Sequence, residues 1–248
     1  MVEISGKYKI GTRRFGSINW IGAWTLYKKE VLRFLIVWIQ TLFSPLITSL
    51  LFLSVLSLAI GNERGDVLGV PFIVFLAPGL IAMQIIQQAF SHSSSSFMIG
   101  KIQGNIVDLL YAPLSAGEVT LAVTLASVTR SVLIAAISLL VFYLFIDLEI
   151  KNFMTLIAFT LLSAFSLGAL GIIAGLWAEK FDHMATVTNF IIIPLSFLSG
   201  TFYSIERLPE VLQIISKANP FFYMIDGFRY SFLGQSDGSI FFGLVYLS

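Results

Sequence analysis

The sequence predicts an all-α polytopic membrane protein, and three of its properties lead to that prediction. Of the 248 residues, 57% are hydrophobic and 12% are charged, whereas a soluble domain usually carries about 25% charged residues. The mean hydropathy is +0.90. Five long apolar runs each approach or exceed the roughly 20 residues that cross a bilayer as a helix. Because lipid offers no partner to backbone polar groups, we expect these runs to form a bundle of spanning helices.

Residues 1–33 are predicted to form a cytoplasmic tail that ends in an interfacial amphipathic helix. Trp20, Trp24 and Tyr27 recur there at helical spacing, while Arg33 falls on another face. That pattern is typical of a helix lying in the membrane surface. The alternative interpretation is an ordinary lead-in to the first span with an aromatic anchor.

Residues 34–248 are predicted to form one transmembrane domain with five complete spans. Ser115 and Glu118 fit a capping box at the start of the third span, and Asp182 is expected to cap the fifth. The run at 239–248 is too short to cross the bilayer, so we expect it to begin a truncated sixth span, and a short re-entrant helix is the alternative. The five spans are expected at about residues 34–60, 71–97, 117–145, 153–177 and 184–203.

The distribution of Lys and Arg predicts the orientation, because basic residues near span ends remain on the cytoplasmic side. With the N-terminus inside, nine basic residues are cytoplasmic and five fall on the opposite side, while Arg130 lies within a span. We therefore expect a cytoplasmic N-terminus, with residues 204–237 on the outer face.

The usual residues for several kinds of chemistry are missing from the sequence. It contains no G-x-x-x-x-G-K-[ST] phosphate loop, no H-E-x-x-H and no G-x-S-x-G. There is no cysteine, and the two histidines, His92 and His183, lie in different segments without metal-ligand spacing. The net charge of +1 argues against nucleic acid as a partner. We therefore expect no catalysis and no metal or cofactor on this chain, and any energy source must be another polypeptide or an ion gradient.

Polar side chains inside the predicted spans are the candidates for a transport pathway. In the second span Gln84, Gln88 and Ser91 recur on one helix face, which should avoid lipid. This stripe either lines a pathway or forms hydrogen bonds with neighbouring helices. Arg130 is either a pathway residue or a structural contact, and packing is the default explanation for the polar face of the fifth span. The candidate pathway residues are Gln84, Gln88, Ser91, Arg130, Asn189 and Ser196.

The expected outer segment is unusually aromatic, with eight Phe and Tyr residues between positions 202 and 232. Proline signals predict two short helices in it, neither long enough to cross a bilayer. Such non-spanning backbone is tolerated at membrane depth only inside protein or beside a cavity. The segment is either an aromatic belt or an outer gate. The candidate gate residues are Phe202, Tyr203, Phe221, Phe222, Tyr223, Arg229 and Tyr230.

Three stretches of the sequence together resemble the membrane subunit of ABC-2 type exporters, and the resemblance covers nearly the whole chain. The first is a loop with Gly-Lys-Ile-Gln-Gly followed by Leu-Leu-Tyr-Ala-Pro-Leu-Ser, the second is a Pro-Gly-Leu in the second span, and the third runs from Pro-Leu-Ser-Phe-Leu-Ser-Gly-Thr-Phe-Tyr to Gly-Phe-Arg-Tyr. They occupy residues 100–118, 78–80 and 194–230.

This resemblance implies an exporter permease of the bacterial inner membrane that forms the substrate pathway as a homodimer. Six spans are usual in the family, and a separate ABC ATP-binding subunit, which would carry ATP and Mg²⁺, sits beneath each membrane subunit. The second and fifth spans would line the pathway. The residues implied to couple the chain to the ATPase are Gly104, Asp108, Leu109, Pro113, Glu118, Glu179, Asp182 and His183.

The alternative function is an ion-driven secondary transporter. Such a transporter is expected to carry acidic ion-coupling residues within its spans. No Asp or Glu lies deep in any of the five predicted spans, which favours the exporter.

Overall fold

The computed structural model describes residues 18–64 and 66–247. The predicted tail at residues 1–17 lies outside the described residues. Within the described part, five helical stretches are long and apolar enough to cross a membrane, which confirms the predicted fold class. These spans, numbered one to five, are Ile39–Ala59, Phe72–Ile102, Ala116–Tyr143, Phe153–Trp177 and Phe181–Leu198.

Two of the spans are not single α-helices. A π-helical turn, Ile39–Phe43, opens the first span, and a second one, Thr188–Ile192, interrupts the fifth. A short 3₁₀ turn, Ile205–Arg207, follows the fifth span. The α-helices are α1 (Trp20–Ile36), α2 (Ser44–Arg64), α3 (Phe72–Ile102), α4 (Ile106–Tyr111), α5 (Ala116–Tyr143), α6 (Phe153–Trp177), α7 (Phe181–Val187), α8 (Ile193–Leu198), α9 (Glu210–Ala218), α10 (Pro220–Leu233) and α11 (Ile240–Leu247).

Helix α3 is the centre of the bundle and packs against α5, α6 and α10. In its most apolar window 78% of the residues are buried inside the chain, against 22% for the first span and 17% for the fifth. The first and fifth spans are therefore peripheral. Most of their apolar surface is left for lipid or for another protein.

Glycines allow α6 to approach α3 and α5 closely. A Cβ atom added at Gly171 would lie 2.6 Å from the carbonyl oxygen of Phe90, and one at Gly168 would lie 2.3 Å from Ser127 Oγ. Because the contact at Gly171 is with backbone, a side chain there would force α6 and α3 apart, whereas at Gly168 the Ser127 hydroxyl would have to rotate away. Small residues at such an interface let the two backbones gain van der Waals contact that lipid cannot supply.

Cap residues define the helix starts at one end of the bundle, which we call the α4 end. Ser115 and Glu118 form the predicted capping box of α5, with both reciprocal hydrogen bonds present. The predicted cap of the fifth span is wrong, because Lys180 is the residue that precedes α7. Asp182 lies inside the first turn, where its charge interacts favourably with the helix dipole instead of accepting a capping bond.

Several boundaries differ from the sequence-based expectation. Helix α3 continues to Ile102, about one turn beyond the predicted end of the second span. The fifth span ends at Leu198 because Gly200 has a φ of +74°, which turns the chain. Helix α1 forms as predicted and ends at Ile36. Its position at the membrane surface stays a prediction.

The opposite end of the bundle, which we call the α9 end, carries the two predicted short helices. Asn219 ends α9 and caps α10 by accepting a hydrogen bond from the Phe221 N–H. Gly234, with a φ of +71°, ends α10. Helix α11 then runs back along α6, where Ser166 Oγ donates to the Leu247 carbonyl at 3.3 Å. Its interpretation as a span start or as a re-entrant helix stays open.

Candidate functional site

A cavity of about 950 Å³ lies between the first span and α3, and it contains most of the predicted pathway residues. Gln84, Gln88 and Ser91 line it together with Arg130 from α5. Four of the six candidates are therefore brought to one site. No Asp or Glu belongs to the lining within the described residues. The polar lining consists of Arg33, Gln40, Thr41, Ser44, Thr48, Ser49, Gln84, Gln87, Gln88, Ser91, Ser95, Gln103 and Arg130.

The polar stripe of α3 both lines the cavity and forms hydrogen bonds with neighbouring helices. Different atoms of the stripe account for the two roles. Gln84 Nε2 donates to the Pro45 carbonyl at 2.8 Å, and Gln84 Oε1 accepts from Ser138 Oγ at 3.1 Å. Gln84 thus bridges the first, second and third spans. Ser91 is exposed to the cavity.

Arg130 is a buried cation at the cavity wall, with 8% of its surface exposed. Its Nη2 donates to the amide oxygen of Gln88. Its Nε atom is buried and has no hydrogen-bond partner among the described residues. Arg130 therefore makes a structural contact with Gln88 and also lines the cavity.

Sequence analysis missed the half of the cavity that comes from α1 and the first span. Gln40, Ser44 and Thr48 recur every four residues and face the α3 stripe across the cavity. This spacing is visible in the sequence and could have identified them. Arg33, at the end of α1, also reaches the cavity and donates to Ser95 Oγ at 3.4 Å.

The two pathway candidates of the fifth span do not line the cavity. Asn189 is exposed on the surface, and Ser196 is fully buried with its Oγ donating to the Ile192 carbonyl at 2.7 Å. The π-helical turn Thr188–Ile192 changes the angular phase between these positions. Ile193 and Phe197 are the residues of this span that reach the cavity.

The cavity has an aromatic end formed by Phe52, Phe197 and Phe202. The Phe197 and Phe202 rings are stacked with centroids 5.2 Å apart, and the Phe52 and Phe202 centroids are 6.1 Å apart. Phe202 is the one predicted gate residue among the lining residues. A gating role for it stays a prediction.

The other predicted gate residues pack inside the chain. Phe221 and Phe222 are almost fully buried, and Tyr223 is 9% exposed. These three rings belong to the main hydrophobic core, as expected for consecutive aromatics that point in several directions around a helix. Tyr203 and Tyr230 are half-buried.

Arg229 fastens α10 to the turn that follows the fifth span. Its Nη2 donates to the carbonyls of Gly200 at 2.7 Å and Thr201 at 3.2 Å. Its guanidinium carbon lies 3.9 Å from the centroid of the Phe75 ring on α3. A cation held over a ring in this way is stabilised by the ring quadrupole.

Asp226 performs a similar role between α10 and the segment before α11. Its two carboxylate oxygens accept the N–H groups of Asp237 at 3.0 Å and Gly238 at 2.9 Å. Burial raises the pKa of the Asp226 carboxyl from 3.8 to about 6, although Arg229 nearby and the two hydrogen bonds act in the opposite direction.

The α4 end presents an apolar helix, one face of which no other element of the described part of the chain covers. Ile106 and Leu109 pack against a small core that includes Leu26 and Phe97. The other face of α4 is exposed: 47% for Val107, 76% for Leu110 and 86% for Tyr111. An exposed apolar patch of this kind is typical of a protein contact.

The second predicted coupling segment lies at this same end. Lys101, in the last turn of α3, donates from Nζ to the carbonyls of Leu176 and Ala178, where α6 ends. The turn between α6 and α7 is closed by a 3.4 Å contact from the Glu179 N–H to His183 Nδ1. The two segments thus form one continuous surface. The predicted coupling residues that it exposes are Gly104, Asp108, Pro113, Glu179 and Asp182.

Comparison with known proteins agrees with the resemblance seen in the sequence. The sequence model of the family described as ABC-2 type transporter matches residues 22–233. The chain is 34% identical over 220 residues to the inner membrane transport permease YadH of Escherichia coli strain K12, covering 89% of this chain and 86% of that protein. It is 26% identical over 227 residues to nodulation protein J of Rhizobium leguminosarum bv. trifolii, covering 89% and 83%.

Proposed function

The chain belongs to the ABC-2 type transporter family, and on this premise we propose that it is the membrane subunit of an ATP-driven exporter. A separate ABC ATP-binding subunit would supply hydrolysis of ATP with Mg²⁺, while this chain forms the pathway and carries out no catalysis. Its relative in Escherichia coli is named an inner membrane permease. We therefore assign this chain to a bacterial inner membrane, with its N-terminus and α4 end in the cytoplasm.

The observation that carries this proposal is the surface at the α4 end. The exposed side chains of Val107, Leu110 and Tyr111 form an apolar patch on a helix of six residues. Lys101, in the last turn of α3, bonds the end of the second span to the end of α6, and α4 follows it after a short turn. A partner that moved α4 would therefore act on the end of the second span and, through Lys101, on the end of the fourth.

A second copy of the chain is proposed to complete the pathway. The first and fifth spans are the least buried of the five, and both contribute to the cavity wall. Pairing of two protomers through these spans would cover apolar surface and enclose the two cavities. The absence of acidic lining residues from the described part of the cavity supports this function over ion-driven transport.

Co-isolation of a partner tests the proposal. Affinity-tagged chain, solubilised from its native membrane, should carry with it a protein that binds and hydrolyses ATP, in equal numbers of copies. Tyr111→Asp should weaken this association, because it places a charge in the apolar patch. Tyr143→Asp is the matched control, since Tyr143 is 65% exposed and ends α5 at the opposite end of the bundle. Isolation of the chain without any ATP-hydrolysing protein would reject the exporter assignment.

A further inference from the structure

We propose that the cavity between the first span and α3 binds an amphiphile whose head group carries a phosphate. The inference names the class of substrate for the proposed pathway, and in that sense it rests on the proposed function. It is carried by three properties of the cavity: the sign of its charge, the donors that surround that charge, and the separation of its polar and apolar ends.

The lining is positively charged. Arg33 and Arg130 are the only charged side chains in the described lining. Arg33 is partly neutralised, because its Nε donates to Glu30 Oε2 at 2.9 Å. Arg130 bonds to the uncharged amide of Gln88, and in residues 18–64 and 66–247 its buried Nε has no partner. A guanidinium this deeply buried is costly unless an anion accompanies it, so the cavity lacks one negative charge.

The donors around Arg130 suit a phosphate. A guanidinium presents its N–H groups in a planar fork that matches two phosphate oxygens. The Gln87 amide and the Ser91 hydroxyl line the same wall of the cavity and can donate further hydrogen bonds. A phosphate placed there would meet a charge and several neutral donors.

The two ends of the cavity differ in polarity. Along α3 the lining begins with Leu80 and Met83 and is polar from Gln84 to Ser95, with Ile99 and Gln103 beyond. At 1.5 Å per residue, Leu80 and Gln88 are about 12 Å apart along the helix axis. The apolar end is extended by the aromatic cluster that contains Phe202. A ligand that fills both ends therefore has an anionic head near Arg130 and an apolar tail among the rings.

Size and location favour an amphiphile over a free anion. A volume of about 950 Å³ is at the upper end for sites that hold drug-sized ligands, roughly 300–1,000 Å³. An inorganic phosphate would occupy a small part of it and leave the apolar end unfilled. Both walls belong to spans, Ile39–Ala59 and Phe72–Ile102, so a lipid-like tail can remain in an apolar environment.

Binding to the purified full-length chain in a neutral detergent tests the inference. The probes are dioctanoyl phosphatidic acid, dioctanoylglycerol with the same tails, and inorganic phosphate. We expect phosphatidic acid to bind at least about tenfold more tightly than either of the others. Arg130→Gln should remove this preference, which corresponds to about 1.4 kcal/mol. Lys28→Gln, which removes an exposed charge from α1, should leave the preference unchanged.

A second variant keeps the test valid if Arg130→Gln does not fold. Gln88→Glu should pair with Arg130, neutralise the cavity and weaken phosphatidic acid binding to the same extent. Equal affinity for phosphatidic acid and dioctanoylglycerol, or wild-type affinity in both variants, would overturn the anion site. Equal affinity for inorganic phosphate and phosphatidic acid would overturn the amphiphile. No ATP-binding partner is needed, so failure of the exporter assignment would not mimic any of these results.

Discussion

The backbone N–H of Asn19 donates a hydrogen bond to the carboxylate of Glu118, although the two residues are 99 positions apart in the chain. The same carboxylate accepts the Ser115 N–H at 2.6 Å as part of the capping box of α5. Asn19 Nδ2 also donates to the Pro113 carbonyl at 3.1 Å. The start of α1 is therefore fastened to the loop that follows α4, which is part of the proposed contact with the ATPase.

Replacement of Glu118 should loosen this junction. In Glu118→Ala the N–H groups of Asn19 and Ser115 lose their acceptor, at about 1–3 kcal/mol for each group that stays buried. We expect a lower melting temperature and a reduced stimulation of ATP hydrolysis by the membrane subunit. Glu149→Ala, an exposed acid at the other end, is the control. Equal melting temperatures for the two variants would show that the junction contributes nothing to stability.

Asp108→Lys should uncouple ATP hydrolysis from transport while leaving the bundle folded. Asp108 is an exposed acid in the first turn of α4, on the surface proposed to meet the ATPase. Glu210→Lys is a closely matched control, because Glu210 is an exposed acid in the first turn of α9. Both variants lose a similar interaction with a helix dipole, about 0.3–1 kcal/mol. Coupling is measured as substrate-dependent ATPase activity in vesicles, and wild-type coupling in Asp108→Lys would identify the loop as a simple connector.

Phe202→Ala should raise leakage of small solutes through the resting protein if the aromatic end of the cavity is a gate. Phe145→Ala, which truncates a ring that is 72% exposed at the same end of the bundle, should not. Replacing Phe221, Phe222 and Tyr223 together is a weaker test, because loss of buried rings costs about 3–5 kcal/mol each and would affect folding. Unchanged leakage in a correctly assembled Phe202→Ala protein would leave the aromatic belt as the explanation.

The free energy of unfolding should decrease as the pH rises from about 4 to about 6, because of Asp226. Its pKa in the folded protein, about 6, is higher than its ordinary value of 3.8, so the folded state binds the proton more tightly than the unfolded state. The resulting stabilisation is complete below pH 4 and is lost as the pH rises through 6, on the order of 1.4 kcal/mol per pH unit at most. Asp226→Asn should show a smaller decrease in melting temperature over this window, and an identical decrease in both proteins would contradict the assignment to Asp226.

The sequence predicts the spans well because each depends on a local property, the length of an apolar run. The short helices α9 and α10 also follow from local signals, since Pro209 and Asn219 are read directly as a helix start and a helix end. The capping box at Ser115 is likewise contained within four residues. None of these features depends on which helices become neighbours.

The cavity was only half predictable because helical spacing shows which residues share a face, not which helix covers that face. The sequence predicts the stripe with Gln84 and Gln88. The stripe with Gln40 and Ser44 is identified as part of the same site only because the fold places it across the cavity from the first. The π-helical turn in the fifth span has no clear sequence signal. It changes the angle around the helix axis between Asn189 and later residues. Asn189 and Ser196, which regular α-helical spacing places on one face, therefore do not share a face in the structure.

If this chain forms the pathway of an ATP-driven exporter, nucleotide binding on the partner should change access to the cavity, and the natural lack of cysteine allows a direct measurement. Ser91→Cys places one thiol at an exposed position on the cavity wall. In vesicles that contain the chain with its ATP-binding subunit, the rate of labelling by a membrane-impermeant maleimide is measured from each side. We predict that labelling is faster from the cytoplasmic side without nucleotide and slows severalfold when ATP is bound and hydrolysis is blocked. Identical labelling rates with and without nucleotide would contradict this expectation.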